Sequence, residues 1–266
     1  MPRLQTVARS FSFLLLLLPA LLRADALDDI LERQSIRVGV AEFIPWTMTS
    51  SSGELIGFEI DVARKIAADI GVEADFRLYD FEELIPALRN GEIDVIAGGM
   101  AITPQRALQV NFTQPLASSG VSLATNTEKT KNVSELRHLN DERIIIAVVA
   151  DTLSHGVAQT FFPKANIKAH ASSDVAVQEI LENRAHAYVA SVPEINFLSL
   201  TNGNAVDVPL SEPIMASREG LAVRKGEQEL LNFLNAWVVA READKWLATT
   251  HNYWFRTIDW ARAPSD

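Results

Sequence analysis

The chain contains no cysteine. That excludes disulfides, thiolate metal sites, a cysteine nucleophile and a lipid-modified N-terminal cysteine. Basic residues are the minority: 24 lysines and arginines stand against 34 aspartates and glutamates, a net charge of −10. This balance favours solubility and speaks against nucleic acid as a partner. Past the first two dozen residues, no apolar run is long enough to span a bilayer. His138, His155, His170, His186 and His251 show no ligand spacing such as His-x-x-x-His, and no Gly-x-Ser-x-Gly elbow occurs. Neither a metal site nor a serine nucleophile is indicated, and no cofactor is expected.

What is present begins with a leader. Arg3 and Arg9 precede an apolar run from Phe11 to Leu22, broken by Ser12 and Pro19, and Ala24-Asp25-Ala26 offers small residues around a cut. Residues 1–26 read as a secretory signal cleaved near Ala26, because a membrane anchor needs about 20 apolar residues. Arg3, Arg9, Arg23 and Asp25 leave with it, so the mature chain is more acidic still. The expected location is the periplasm, free in solution. With 48% apolar residues, the remainder suffices for one large or two medium domains.

Past an amphipathic start (Leu27, Ile30, Leu31), strand and helix signals alternate. Residues 36–40 read as a strand, and the loop after it places Phe43 and Trp46 near Pro45. Aromatics at the carboxyl edge of an open α/β sheet form either a ligand wall or a core plug. Ile60, Ala63, Ile66, Ala67 and Ile70 recur at helical spacing, and Gly71 ends that helix. A strand at 74–79, a helix through Leu84, Ile85 and Leu88, and a strand at 93–97 complete a doubly wound pattern. From Pro115 the signal changes to an extended crossing, 116–125. A second α/β set follows: a strand at 144–149, a helix at 153–162, a strand at 167–171, and a helix sharing Ala176, Val177, Ile180 and Leu181. Pro209 and Pro213 bracket a second crossing at 207–215, a strand follows at 220–223, and 227–247 reads as one long helix before an aromatic tail. A faint repeat lays 88–97 over 181–190, so that Gly98 and Ser191 each follow a buried strand.

The pattern converges on Gly98-Gly99-Met100-Ala101-Ile102-Thr103-Pro104-Gln105-Arg106. Thr103 suits a helix N-cap and Pro104 the first helical position. A strand ending in two glycines at a helix start exposes backbone N–H groups, and Arg106 adds a two-pronged donor beside them. Together they can cradle a carboxylate or phosphate.

These motifs resemble the bacterial extracellular solute-binding proteins of family 3, the receptors of polar amino-acid ABC transporters. The resemblance rests on Arg37-Val-Gly-Val, Gly53-x-x-x-Gly57-Phe-Glu-Ile-Asp61, Leu84-Ile-Pro-Ala-Leu88-x-x-Gly91-x-x-Asp94, Gly99-Met-Ala-Ile-Thr103-Pro-x-Arg106 and Asn111-Phe-Thr-x-Pro115, in that order. It implies a two-lobed periplasmic-binding-protein fold of type II, with α/β lobes joined by two hinge crossings. Lobe 1 would comprise 27–117 and 213–266, and lobe 2 would comprise 118–212. It further implies that Arg106 clamps a ligand carboxylate, with Gly99 and Ala101 as backbone positions, Phe43 and Trp46 as an aromatic wall, and Thr152 and Leu153 in a second-lobe loop. The implied partners are a small carboxylate ligand and an inner-membrane permease, with the protein itself a monomer and not an enzyme.

Three positions depart from the family pattern: Ala101 replaces Ser or Thr, Asp151 replaces glycine, and Ser191 replaces the aspartate that pairs with an α-ammonium. Because a buried ammonium without a carboxylate is costly, either Glu194 or Asp151 supplies the charge or the ligand is not an ordinary α-amino acid. Two other readings stand beside transport. One is a cyclohexadienyl-dehydratase-like enzyme using Glu194, Asp151 or His155, and the other is a ligand-sensing module.

Overall fold

The computed structural model describes residues 26–133, 135–256 and 260. The expected signal segment lies outside the described residues except for Ala26, which opens the helix Ala26–Arg33. Two sheets organise the chain. In the first, Glu73–Leu78 lies beside Ser35–Val40, followed by Val95–Ile96, Ala222–Val223 and Asn111–Phe112. Ser35–Val40 pairs in parallel with both neighbours, so the carboxyl ends of all three strands point one way. The helix Phe58–Ile70 makes the crossover and buries Phe58, Ile60, Val62, Ala63, Ile66 and Ala67. It stops at Gly71, whose φ of 75° is the left-handed conformation that a side chain disfavours.

The second sheet runs Val206–Asp207, Ala117–Asn126, Ala187–Ser191, Ile145–Val149 and Asn166–His170. Helices Leu153–Phe161, Ser173–Leu181 and Val192–Asn202 flank it. The last of these was not expected, although Ser191 as N-cap with Pro193 in the first turn repeats the punctuation of Thr103-Pro104. Each sheet has its own cores. Val38, Phe58 and Leu234 belong to the first half, whereas Ile146, Val157 and Val189 belong to the second.

Two expectations need correction. The return crossing is Met215–Glu219, later than 207–215, and it runs antiparallel along Ala117–Val121. Pro209 and Pro213 lack the N–H that a ladder needs, so pairing resumes only beyond them. The long C-terminal helix is two helices, Gln228–Ala243 and Trp246–Arg256. They part at Lys245, which has φ 67°, while Asp244 Oδ1 accepts the Trp246 N–H at 2.9 Å as a fresh cap. The aromatic tail packs on the first half: Trp254 is buried and its Nε1 donates to Asp61 Oδ2 at 2.7 Å.

Asp94 fixes the base of this half. It is buried and accepts from the Arg37 backbone N–H at 2.8 Å, from Arg37 Nη2 at 2.5 Å and from Arg33 Nη2 at 2.5 Å. The Arg37 and Asp94 motif positions are therefore structural. Replacing Asp94 with Ala strands these donors, and we expect a loss of about 2 kcal/mol, lowering Tm by about 4–8 °C in calorimetry. An unchanged Tm would contradict that role.

Candidate functional site

Between the two sheets lies a small cavity of about 30 Å³, open to a wider groove at its mouth. Eight of the expected residues line it: Phe43, Trp46, Gly99, Ala101, Arg106, Thr152, Leu153 and Ser191. They come from both halves of the molecule, at strand carboxyl ends and the loops that follow. Glu194, the ninth, does not line the cavity. It is buried behind Ser191, where its Oε1 accepts from the Tyr188 hydroxyl at 2.5 Å. Helix geometry explains this, because Glu194 sits three residues past the N-cap and its own N–H donates back to Ser191 Oγ at 3.4 Å.

Arg106 is the cation of the site. Thr103 Oγ1 accepts its backbone N–H at 3.2 Å, so the expected N-cap forms, although the helix Pro104–Ala107 is a single turn. The guanidinium donates from Nη1 to the Ala101 carbonyl at 2.9 Å and from Nη2 to the Asp151 carbonyl at 3.1 Å. The second bond joins the two halves. The guanidinium carbon also stands 5.2 Å from the centre of the Phe81 ring, a cation–π arrangement. Burial pulls its pKa down from the ordinary value, opposed by the charge of Asp151, but an arginine stays protonated at any physiological pH.

The backbone cradle differs from expectation. The Gly99 N–H does not face the cavity as a free donor; it binds Glu59 Oε1 at 3.2 Å. Gly99 itself is required, since it has φ 61° and a Cβ there would lie 2.8 Å from Trp46 Cγ. Trp46 is both wall and plug: it lines the cavity, is fully buried, and packs edge-on against Phe58 and Phe255 with centroids 5.7 and 4.6 Å apart. Asp151 adopts φ 55°, which explains why glycine suits that position and why Asp, tolerant of left-handed backbone, can hold it. Thr152 caps the helix Leu153–Phe161, its Oγ1 accepting the His155 N–H at 3.2 Å.

Six lining residues were missed by sequence reasoning, Phe81, Gly120, Val121, Ser154, Ser217 and Glu219, and two of them bear on the chemistry. Phe81 follows the second strand's carboxyl end much as Phe43 follows the first, so the same edge rule applies to it. Glu219 ends the return crossing, is only 3% exposed, and sits opposite Ala101 in an antiparallel bridge. Its discovery required the strand register, which places it next to residues more than a hundred positions away. Among the described residues, no three His, Cys, Asp or Glu side chains gather as a metal site.

In and behind the cavity wall, burial raises the pKa of three carboxyl groups: Glu59 to about 8, Glu219 to about 7 and Glu194 to about 7. For Glu59 the accepted Gly99 N–H opposes the shift, and the charge of Glu219 adds to it.

Residues 36–257 match the family described as bacterial extracellular solute-binding proteins, family 3. The chain is 25% identical over 226 residues to the ABC transporter arginine-binding protein 1 of Escherichia coli K12, covering 84% of this chain and 91% of that protein. It is 28% identical over 219 residues to the ABC transporter glutamine-binding protein GlnH of Bacillus subtilis, covering 77% and 75% respectively. Among solved structures, the ancestral amino acid-binding protein AncCDT-1, a precursor of cyclohexadienyl dehydratase, matches with TM-score 0.80 at 31% identity, covering 87% of this chain and 100% of that one. A putative ABC transporter binding component from Wolinella succinogenes, complexed with lysine, matches with TM-score 0.81 at 27% identity over 87% and 100%.

The raised carboxyl values set the sign of a pH effect. Each group binds a proton more tightly folded than unfolded, so its stabilising contribution is complete below about pH 4.5 and is lost as pH rises through 7 to 8. The protein should therefore melt at a higher temperature at pH 5.5 than at pH 8.5. Glu59→Gln, which keeps an acceptor for Gly99 without the charge, should flatten that slope. A variant as pH-sensitive as the parent would refute this assignment.

Proposed function

Because the chain belongs to the bacterial extracellular solute-binding proteins of family 3, we propose that it traps a small carboxylate-bearing solute between its lobes, with Arg106 holding the carboxylate. The chain is a substrate-binding component of an amino-acid ABC transporter. Its fold is the two-lobed fold of periplasmic amino-acid-binding proteins. The observation that carries the site reading is Arg106 itself. One guanidinium reaches from the first half to the Asp151 carbonyl of the second, in a cavity walled by Phe43, Trp46 and Phe81. A ligand carboxylate takes the place of those carbonyl acceptors and receives a stronger, charge-assisted pair of bonds.

The lobes, 27–117 with 213–266 and 118–212, open and close about the paired crossings Ala117–Val121 and Met215–Glu219. Only the closed form lets Thr152 and Ser191 meet a ligand held on Arg106, so ligand favours closure. The loaded protein then docks, as a periplasmic monomer released from its leader near Ala26, on an inner-membrane permease. We read its role as capture without chemical change. Glu194, one of the acids an enzymatic reading would call on, lies outside the cavity, and the relative linked by name to a dehydratase is itself described as an amino acid-binding protein.

A thermal-shift screen of amino acids and organic acids tests this. At least one carboxylate should stabilise the protein, and Arg106→Ala should weaken its binding by roughly 100-fold or more, the scale for removing one partner of a buried charge pair. A shift that survives Arg106→Ala would end the proposal.

A further inference from the structure

The position that the family pattern fills with an ammonium-binding aspartate is Ser191 here, and Glu194 is engaged with Tyr188 behind it. The cavity nevertheless holds one carboxylate, on the hinge side. Glu219 lines it, is 3% exposed, and has one oxygen, Oε2, with no hydrogen-bond partner. The other oxygen accepts from the Ser217 hydroxyl, which holds the side chain in place. An unpartnered, buried carboxylate oxygen is a standing cost to the fold until a hydrogen-bond donor such as an ammonium reaches it.

Position adds a second argument. Glu219 sits directly opposite Ala101 in an antiparallel bridge, and the Ala101 carbonyl is what Arg106 Nη1 grips at 2.9 Å. Directly opposed residues in such a bridge have Cα atoms about 4.5–5.5 Å apart. The anion-binding group and the free carboxylate oxygen are thus anchored on either side of one residue, a span that suits the two charged ends of a small zwitterion. Among the described residues, Glu219 makes no ion pair at salt-bridge distance, so its free oxygen is placed to meet an incoming ammonium.

We infer that Glu219 is the ammonium-binding residue of this protein, so that its ligand is a carboxylate carrying a primary ammonium, anchored on the hinge strand and not on the second lobe. The inference rests on the reading of Arg106 as the carboxylate clamp. Ala101 fits the same picture: a methyl group opposite Glu219 neither competes for the ammonium nor offers a hydroxyl in its place.

Calorimetric titration of the whole protein tests it. The twenty L-amino acids are screened first, and the one that binds most tightly is compared with its 2-hydroxy-acid analogue, which keeps the carboxylate and lacks the ammonium. The parent protein should favour the amino acid by tenfold or more. Glu219→Gln should erase most of that preference by weakening the amino acid while leaving the hydroxy acid unchanged or improved. Glu219→Asp, which keeps the charge, should retain part of the preference and guards against a folding defect in the glutamine variant. If the parent binds both compounds alike, or the glutamine variant discriminates as the parent does, Glu219 is not the ammonium partner although the Arg106 reading stands. If neither amino acids nor hydroxy acids bind, the Arg106 reading falls and takes this inference with it.

Discussion

The bond from Arg106 Nη2 to the Asp151 carbonyl is where the two halves meet over the cavity, and much of the local structure exists to hold its donor. Thr103 caps the turn that carries Arg106, the Ala101 carbonyl takes its other nitrogen, and Phe81 covers its face. The acceptor is held as firmly, in a left-handed turn locked by Thr152 Oγ1, which donates to the Val149 carbonyl at 2.8 Å. Opposing this contact is a like-charge one. Glu82, at the groove's mouth, has its pKa raised chiefly by its hydrogen-bonding interaction with Asp151, a sign that two acids face each other there. The guanidinium and the acid at the rim thus both act on the loop that carries Asp151. In a receptor that must release its cargo, a ligand shifts the equilibrium between forms only by its differential affinity for them.

The aromatic wall and the buried acid beneath it form one unit. Gly99 has φ 61° because the chain must turn against the Trp46 ring, and that turn aims its N–H inward, where Glu59 accepts it. Glu59 is buried in the first turn of the helix Phe58–Ile70, so the helix that makes the first crossover also secures the loop carrying the cavity-lining Gly99 and Ala101. The cost is a desolvated carboxyl, which the fold meets by keeping it protonated up to about pH 8.

Much of this was legible where local chemistry decides the structure. Thr103-Pro104 and Gly71 are punctuation whose effect depends on a few neighbouring atoms, and both appear as expected. Periodicity likewise located the helices whose apolar faces are continuous. Register was harder. The repeat aligned Asn90 with Asn183, yet the left-handed residues that end the two helices are Gly91 and Asn183, an offset of one. Glu219 was invisible for a related reason: its partner Ala101 is set by strand pairing across the hinge, and no local pattern encodes that. Lys245 shows the opposite limit. A strong apolar stripe on either side concealed a break that Asp244, a good cap, could have revealed.

Ser191 illustrates how a position can serve the fold and the ligand separately. The residue there must start the helix Val192–Asn202, and its Oγ accepts the Glu194 N–H to do so. Serine and aspartate are comparable N-caps, so exchanging one for the other leaves the helix start nearly unaffected in free energy. The exchange removes only the charge that faces the cavity. Fold stability thus places no demand on which element carries the acid that meets a ligand, and Glu219 lies on a strand already fixed by its ladder to Ala117–Val121. An acid on the hinge strand also differs mechanically from one on the second lobe. On the proposed reading it holds the ammonium from the crossing itself, while Thr152 and Ser191 line the cavity from the second half.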